Sequence, residues 1–223
     1  MRVEVNGIGL EVQVHGPDDG RPVLLLHGWP DRADLWRHQV PALVDAGHRV
    51  VAPDLRGFGD SDKPADVASY SILHSAADVT GVLDHLGIER AAVVGHDWGA
   101  GLAWALAAFL PERVERLAAL SVGHPVSFRN AGLRQLELSW YMLLFQFEGV
   151  AEQWLRDDGW ANLAMWANHP DHERVVRDLE RPGALTASLG WYRANVPPAS
   201  RVGPAVELPP IACPVMGLSL IHI

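Results

Sequence analysis

The chain is 223 residues long, 48% hydrophobic and 20% charged, with a formal net charge of −9. Such a length and composition fit one soluble α/β-sized domain with room for an insertion, the acidic balance argues against a nucleic-acid partner, and no apolar run is long enough to cross a membrane. The single cysteine, Cys213, excludes an intrachain disulfide and a thiolate metal cluster, and the N-terminus lacks a signal-peptide pattern, so the expected compartment is the reducing cytosol.

Val3 to Val5 and Leu10 to Val14 alternate around Asn6-Gly7, which predicts a β-hairpin at a sheet edge. Val23 to Leu26 is wholly apolar and reads as a buried parallel strand. It ends in His27-Gly28-Trp29-Pro30. Leu35 to Val44 reads as a helix stopped at Gly47, and Arg49 to Ala52 as the next strand. A glycine-rich loop, Pro53 to Ser61, follows. Ser71 to Leu86 is a helix closed by Gly87, Ala91 to Val94 a strand, Ala100 to Phe109 a helix ended by Pro111, and Val114 to Val122 another strand. Alternating strands and helices imply a parallel sheet with right-handed crossovers.

The alternation stops after His124-Pro125. Residues 126 to 196 have helical periodicity, with Leu133, Leu136, Trp140, Leu143 and Leu144 forming one expected apolar stripe and Trp154, Trp160, Trp166 and Trp191 adding bulk. A proline-rich connection, Pro197 to Pro210, leads to a strand expected from Ile211 to Gly217. The expected division is a core over 1–125, a helical cap over 126–208, a returning strand over 209–217 and a tail over 218–223.

The chemistry concentrates at Gly95-His96-Asp97-Trp98-Gly99, between a strand and a helix. Glycines two before and two after the centre allow a sharp strand-turn-helix elbow that lifts one side chain above the sheet. The side chain lifted is Asp97, whose carboxylate can attack a saturated carbon and form an alkyl ester; helix capping is its plainer role. Trp29 and Trp98 both sit in tight turns at strand ends, where backbone N–H groups can face a developing negative oxygen. His27 lies in a turn ahead of Asp97 and is expected to be a structural hydrogen-bonder.

These motifs together resemble the α/β-hydrolase fold, and within it the epoxide hydrolases that use an aspartate nucleophile. The match covers residues 1–217: Gly95, Asp97 and Gly99 fit the elbow with Trp98 after the aspartate, His27, Gly28, Trp29 and Pro30 fit the family's His-Gly-x-Pro, and Asp54 to Ser61 resembles its counterpart loop. The resemblance implies a mostly parallel sheet with a helical cap inserted after the strand ending near Val122. It also implies an oxyanion hole from the backbone N–H groups of Trp29 and Trp98, and a cis bond before Pro30. Two of three tyrosines, Tyr141 and Tyr192, lie in stretches like the cap segments that supply the family's tyrosine pair. Two phenols, with reference pKa ~10, can hold the oxygen of an opening oxirane and protonate it as it leaves; a single cap tyrosine could equally be packing. Phe128, Trp140, Phe145 and Trp191 are expected to line an apolar pocket. No metal or cofactor is implied, and the expected substrates are a small apolar epoxide and water.

Haloalkane dehalogenases of this fold put Asn at the position of Trp29 and lack the tyrosine pair, while fluoroacetate dehalogenases put Arg at that of Trp98. A haloalkane dehalogenase-like hydrolase and a non-catalytic small-ligand binder are the alternatives. The second half-reaction needs a histidine held by a carboxylate, yet no Asp or Glu follows Glu207 and Gly123-His124-Pro125 offers no acid. The general base and its acid are therefore expected to be absent, with the last strands. Leu218-Ser219-Leu220-Ile221-His222-Ile223 reads like one frame of a common transposon-end sequencing adaptor. It is expected to be a non-native tail, His222 to be no base, and the chain not to turn over.

Overall fold

A computed structural model describes residues 1–202 and 207–219. Seven strands form one sheet among them: β1 (Arg2–Val5), β2 (Ile8–His15), β3 (Arg21–Leu26), β4 (His48–Pro53), β5 (Ala91–His96), β6 (Val114–Leu120) and β7 (Val215–Leu218), in the order β1-β2-β4-β3-β5-β6-β7. The hairpin β1–β2 and the pair β2–β4 are antiparallel, and every pairing from β4 to β7 is parallel. Leu24 and Leu26 of β3 point into one core, Val23 and Leu25 into another on the opposite face. That division explains the uninterrupted apolar run, because both faces are covered.

The nine helices of the described residues are α1 (Gln39–Asp45), α2 (Ile72–His85), α3 (Trp98–Phe109), α4 (Pro125–Arg129), α5 (Leu133–Leu138), α6 (Trp140–Leu144), α7 (Val150–Ala167), α8 (His172–Leu179) and α9 (Ala184–Asn195). The helix expected over Leu35 to Val44 is divided into a 3₁₀ turn, Ala33–His38, and α1. Pro41 is the reason: it has no N–H to donate, so the α-helix starts where that donor would have been unpaired anyway. The Ser71 hydroxyl caps α2 by accepting from the His74 N–H.

Beyond β6 the chain is helical from α4 to α9, with two departures from the sequence pattern. The stripe Leu133–Leu136–Trp140–Leu143 does not face a core; Leu133 is 78% and Leu143 56% exposed, and only Leu144 packs inward. A break at Ser139 divides the segment into two short helices, so its periodicity is not continuous in space. α7 is interrupted at Asp157 to Trp160, three of which take positive φ.

The last strand begins at Val215, not Ile211, because Pro214 cannot donate to the ladder. It runs through Leu218, one residue past the expected boundary, and the Leu218 carbonyl accepts from the Ser121 N–H. His222 and residues 203–206 lie outside the described residues. No helix among the described residues is long and apolar enough to cross a membrane.

Candidate active site

The site is built where β3 and β5 end side by side. Leu26 pairs with Gly95, so the turns that follow the two strands face each other. A Cβ on Gly99 would run into the Leu26 carbonyl, and one on Gly95 into the Gly99 carbonyl. Only glycine lets α3 approach β3 and β5 this closely. Between them Asp97 adopts φ 51°, ψ −119°, a conformation costing a non-glycine residue about 1–3 kcal/mol. The backbone of Gly28 passes against the Asp97 side chain, and the Trp29–Pro30 bond is cis.

The Trp29 N–H donates to Asp97 Oδ1 at 2.8 Å, and the Trp98 N–H also hydrogen-bonds the carboxylate. Burial pushes the Asp97 carboxyl above its ordinary range; the charge of His96 and the two N–H bonds oppose that rise, and Asp31 adds to it. His27 is wholly buried. Its Nδ1–H donates to the Gly28 carbonyl at 3.0 Å and its Nε2 accepts from the Leu55 N–H at 2.9 Å. Both ring nitrogens are thus engaged in holding the turn.

Tyr192 of α9 stands edge-on to Trp98, ring centroids 5.1 Å apart, and 6.3 Å from Trp29. Tyr141 of α6 lies 6.0 Å from Tyr192. The Tyr192 hydroxyl is held well above its ordinary pKa, first by burial, then by the Asp97 charge and by Tyr141. Hence the phenol stays protonated beside the carboxylate.

The four aromatic residues expected to line a pocket separate. Phe145 is fully buried between Trp29 (5.5 Å) and Tyr192 (5.0 Å), within the cluster. Trp191 is fully buried on the core side, its indole N–H spent on the Arg56 carbonyl at 3.0 Å. Trp140 is 46% exposed and packs on Trp154 and Trp166, one shell out. Phe128 is partly buried on α4, and no ring contact joins it to the cluster among the described residues.

Three supports carried no sequence signal. Ser188 Oγ accepts from the Trp29 indole N–H at 3.1 Å, and the Asn195 carboxamide bonds Ile72 N–H, Tyr70 carbonyl and Trp191 carbonyl. Asp31, directly after the cis proline, is 3% exposed and receives His169 Nε2–H at 3.0 Å and Arg174 Nη2–H at 2.7 Å. Burial alone would raise Asp31, but these two bonds hold its carboxyl below the usual range. His169 Nδ1 accepts from the Asp171 N–H, so this histidine too has both nitrogens occupied. All these partners are distant in sequence and meet only through the fold.

The model of the alpha/beta hydrolase fold family matches residues 21–187. A superfamily protein of Bacillus subtilis, YfhM, is 38% identical over 205 residues, covering 86% of this chain and 71% of that protein. Epoxide hydrolase A of Mycobacterium tuberculosis is 39% identical over 196 residues, 84% of this chain, and epoxide hydrolase 3 of Siraitia grosvenorii is 41% identical over 156, 68% of this chain. The chain spans only 57% and 49% of the lengths of these two relatives. Among solved structures, epoxide hydrolase A of Mycobacterium thermoresistibile superposes with a TM-score of 0.76 at 34% identity, over 86% of this chain and 73% of that one. An epoxide hydrolase from hot-environment metagenomes reaches 0.85 at 31% identity, over 97% and 80%. Sequence and fold agree, and the chain belongs to the α/β-hydrolase fold family as an epoxide hydrolase-like member.

Proposed function

We propose that Asp97 is the nucleophile of an epoxide-opening site, with a small apolar epoxide and water as substrates. Asp97 Oδ2 attacks an oxirane carbon; the ring C–O bond breaks as the ester bond forms, and the ring oxygen takes a proton from Tyr192 or Tyr141. Oδ1, held by the Trp29 N–H, becomes the ester carbonyl oxygen, and the Trp98 N–H adds a second bond to the same carboxylate. Water attack on that carbonyl breaks the acyl C–O bond, one water proton going to the leaving alkoxide to give the vicinal diol and the other back to the tyrosinate, and restores the carboxylate, with the same donors receiving the charge of the tetrahedral intermediate. The helical segment 126–208 acts as the cap that brings the phenols over core 1–125, and Phe145 walls the apolar side.

The single observation supporting this reading is that two backbone donors hold the Asp97 carboxylate while Tyr192, close enough to feel its charge, packs 6.0 Å from Tyr141, an arrangement a mere ligand-binding fold has no need of. The names of the relatives support the same class. No histidine among the described residues is offered to water with a carboxylate behind it: His27 and His169 use both nitrogens, and no carboxylate holds His96 by a hydrogen bond. We therefore infer, for the described residues, a site equipped to form the ester and without a histidine–carboxylate pair to release it.

The test is mass spectrometry of the chain incubated with styrene oxide. The expected result is one covalent adduct per chain, mapped to Asp97 and lost in Asp97→Ala. An adduct on another residue, or none, overturns the nucleophile; steady diol release by the purified chain overturns the stall.

A further inference from the structure

Trp29 has two polar ends. Its backbone N–H reaches Asp97 Oδ1, and its indole N–H, at the far side of the ring, reaches Ser188 Oγ. Ser188 has no exposed surface, and its hydroxyl donates to the Leu185 carbonyl at 2.8 Å, so its one hydrogen is spent and a lone pair faces the indole. The indole between these ends packs at 5.5 Å from both Phe145 and Trp166 and stands edge-on to Tyr192. Tyr192 follows Ser188 by four residues on α9, one turn along the same face. One hydrogen bond therefore links the indole of the residue that supplies a backbone donor to Asp97 with the helix that carries Tyr192.

We propose that Ser188 is a positioning residue for Asp97 alkylation, acting through the Trp29 indole to align the Trp29 backbone N–H and the Tyr192 hydroxyl on the carboxylate. This rests on the epoxide-opening reading above. Ser188 touches neither substrate nor Asp97; a serine placed only to satisfy a buried indole would alter stability and leave the chemistry alone. A misalignment of a fraction of an ångström at a reacting centre is enough to separate the two roles.

The experiment follows the rate of Asp97 alkylation against styrene oxide concentration in the unaltered chain, Ser188→Ala, Trp29→Phe and the double variant. Ser188→Ala is expected to lower the limiting alkylation rate about tenfold while the half-saturating concentration stays within about twofold. Trp29→Phe, which keeps a ring and deletes the donor, is expected to match it, and the double variant to be no slower than either single one. A double variant as slow as the product of the singles, or Ser188→Ala alkylating at the unaltered rate, overturns the proposal. If the unaltered chain is not alkylated, the epoxide reading fails by itself, and the Trp29 backbone amide resonance decides the positioning role. That resonance is expected to follow Asp97 ionisation and to lose its low-field position in Ser188→Ala. An unchanged resonance overturns the role.

Discussion

At the scale of single residues, the site keeps two groups in protonation states that oppose each other. Tyr192 is held above its ordinary pKa of 10.0, so its hydroxyl keeps its proton at that pH, and in the proposed reaction this is the proton donated. Asp97 is raised by burial, and in the same proposal it must lose its proton before it attacks. The alkylation rate should therefore fall on the acid side at a midpoint above the ordinary aspartate value of 3.8 and show no alkaline fall at the ordinary tyrosine value of 10.0, as a pH series of adduct formation would read. The same shift bears on stability. A carboxyl whose folded pKa is raised favours the folded state while protonated, and that contribution is lost as pH rises through the folded pKa. Above its folded pKa the ionised Asp97 is thus a cost, and Asp97→Asn should abolish the adduct while raising Tm there by about 2–4 °C for each kcal/mol relieved. The gain should vanish in acid, where Asp97 is already neutral; a lower Tm above that pKa would contradict it.

At the scale of elements, α9 is a shared beam. Its core-facing bonds come from Ser188, Trp191 and Asn195, which hold Trp29, Arg56 and the start of α2. Its other side is bound by Arg193, which donates to the Phe145 carbonyl and forms a buried ion pair with Glu152 of α7 at 2.9 Å, and by Gln146, which donates to the Tyr192 carbonyl. A second connection joins α8 to the turn after β3: Asp31 with His169 and Arg174, Asp178 with Arg32, and Arg37 with Asp171. Of these, Asp31 is the buried member, so its loss strands the His169 Nε2–H and leaves the Arg174 Nη2–H only its longer bond to Asp171. Asp31→Ala should cost about 3 kcal/mol, or roughly 6–12 °C in Tm for a chain of this size, measured by thermal unfolding. Because its folded pKa is depressed, Asp31 stabilises above the unfolded aspartate pKa, and that contribution fades as pH falls through the folded value. The difference in Tm between Asp31→Ala and the unaltered chain should therefore shrink in acid.

At the scale of the whole molecule, the segment 133–147 leaves five large apolar side chains exposed, Leu133, Leu136, Leu138, Leu143 and Phe147. Exposed apolar surface of this kind favours association. Replacing Leu133 and Leu143 by Glu should lower light scattering at high protein concentration and leave Tm unchanged, since neither side chain packs on the core. The parallel sheet and the Asp97 elbow were legible in sequence because both are local: an apolar run between turn residues, and glycines at fixed spacing from an aspartate. Tyr141 and Tyr192 were legible only through resemblance, being 51 residues apart by their numbering. The exposed stripe was misread because periodicity reports which residues share a helical face and cannot report a break such as that at Ser139. Ser188, Asn195 and the Asp31 cluster were illegible because each gains its meaning from a partner on a separate element. The beam has one more consequence, for how such proteins diversify. Tyr192 is tied to the sheet by bonds that do not pass through α5 or α6, so drift in those two short helices can reshape what is admitted while the acid that serves it stays in register. Random libraries confined to residues 126–140, which leave Tyr141 in place, should accordingly yield variants of altered appetite far more often than dead ones.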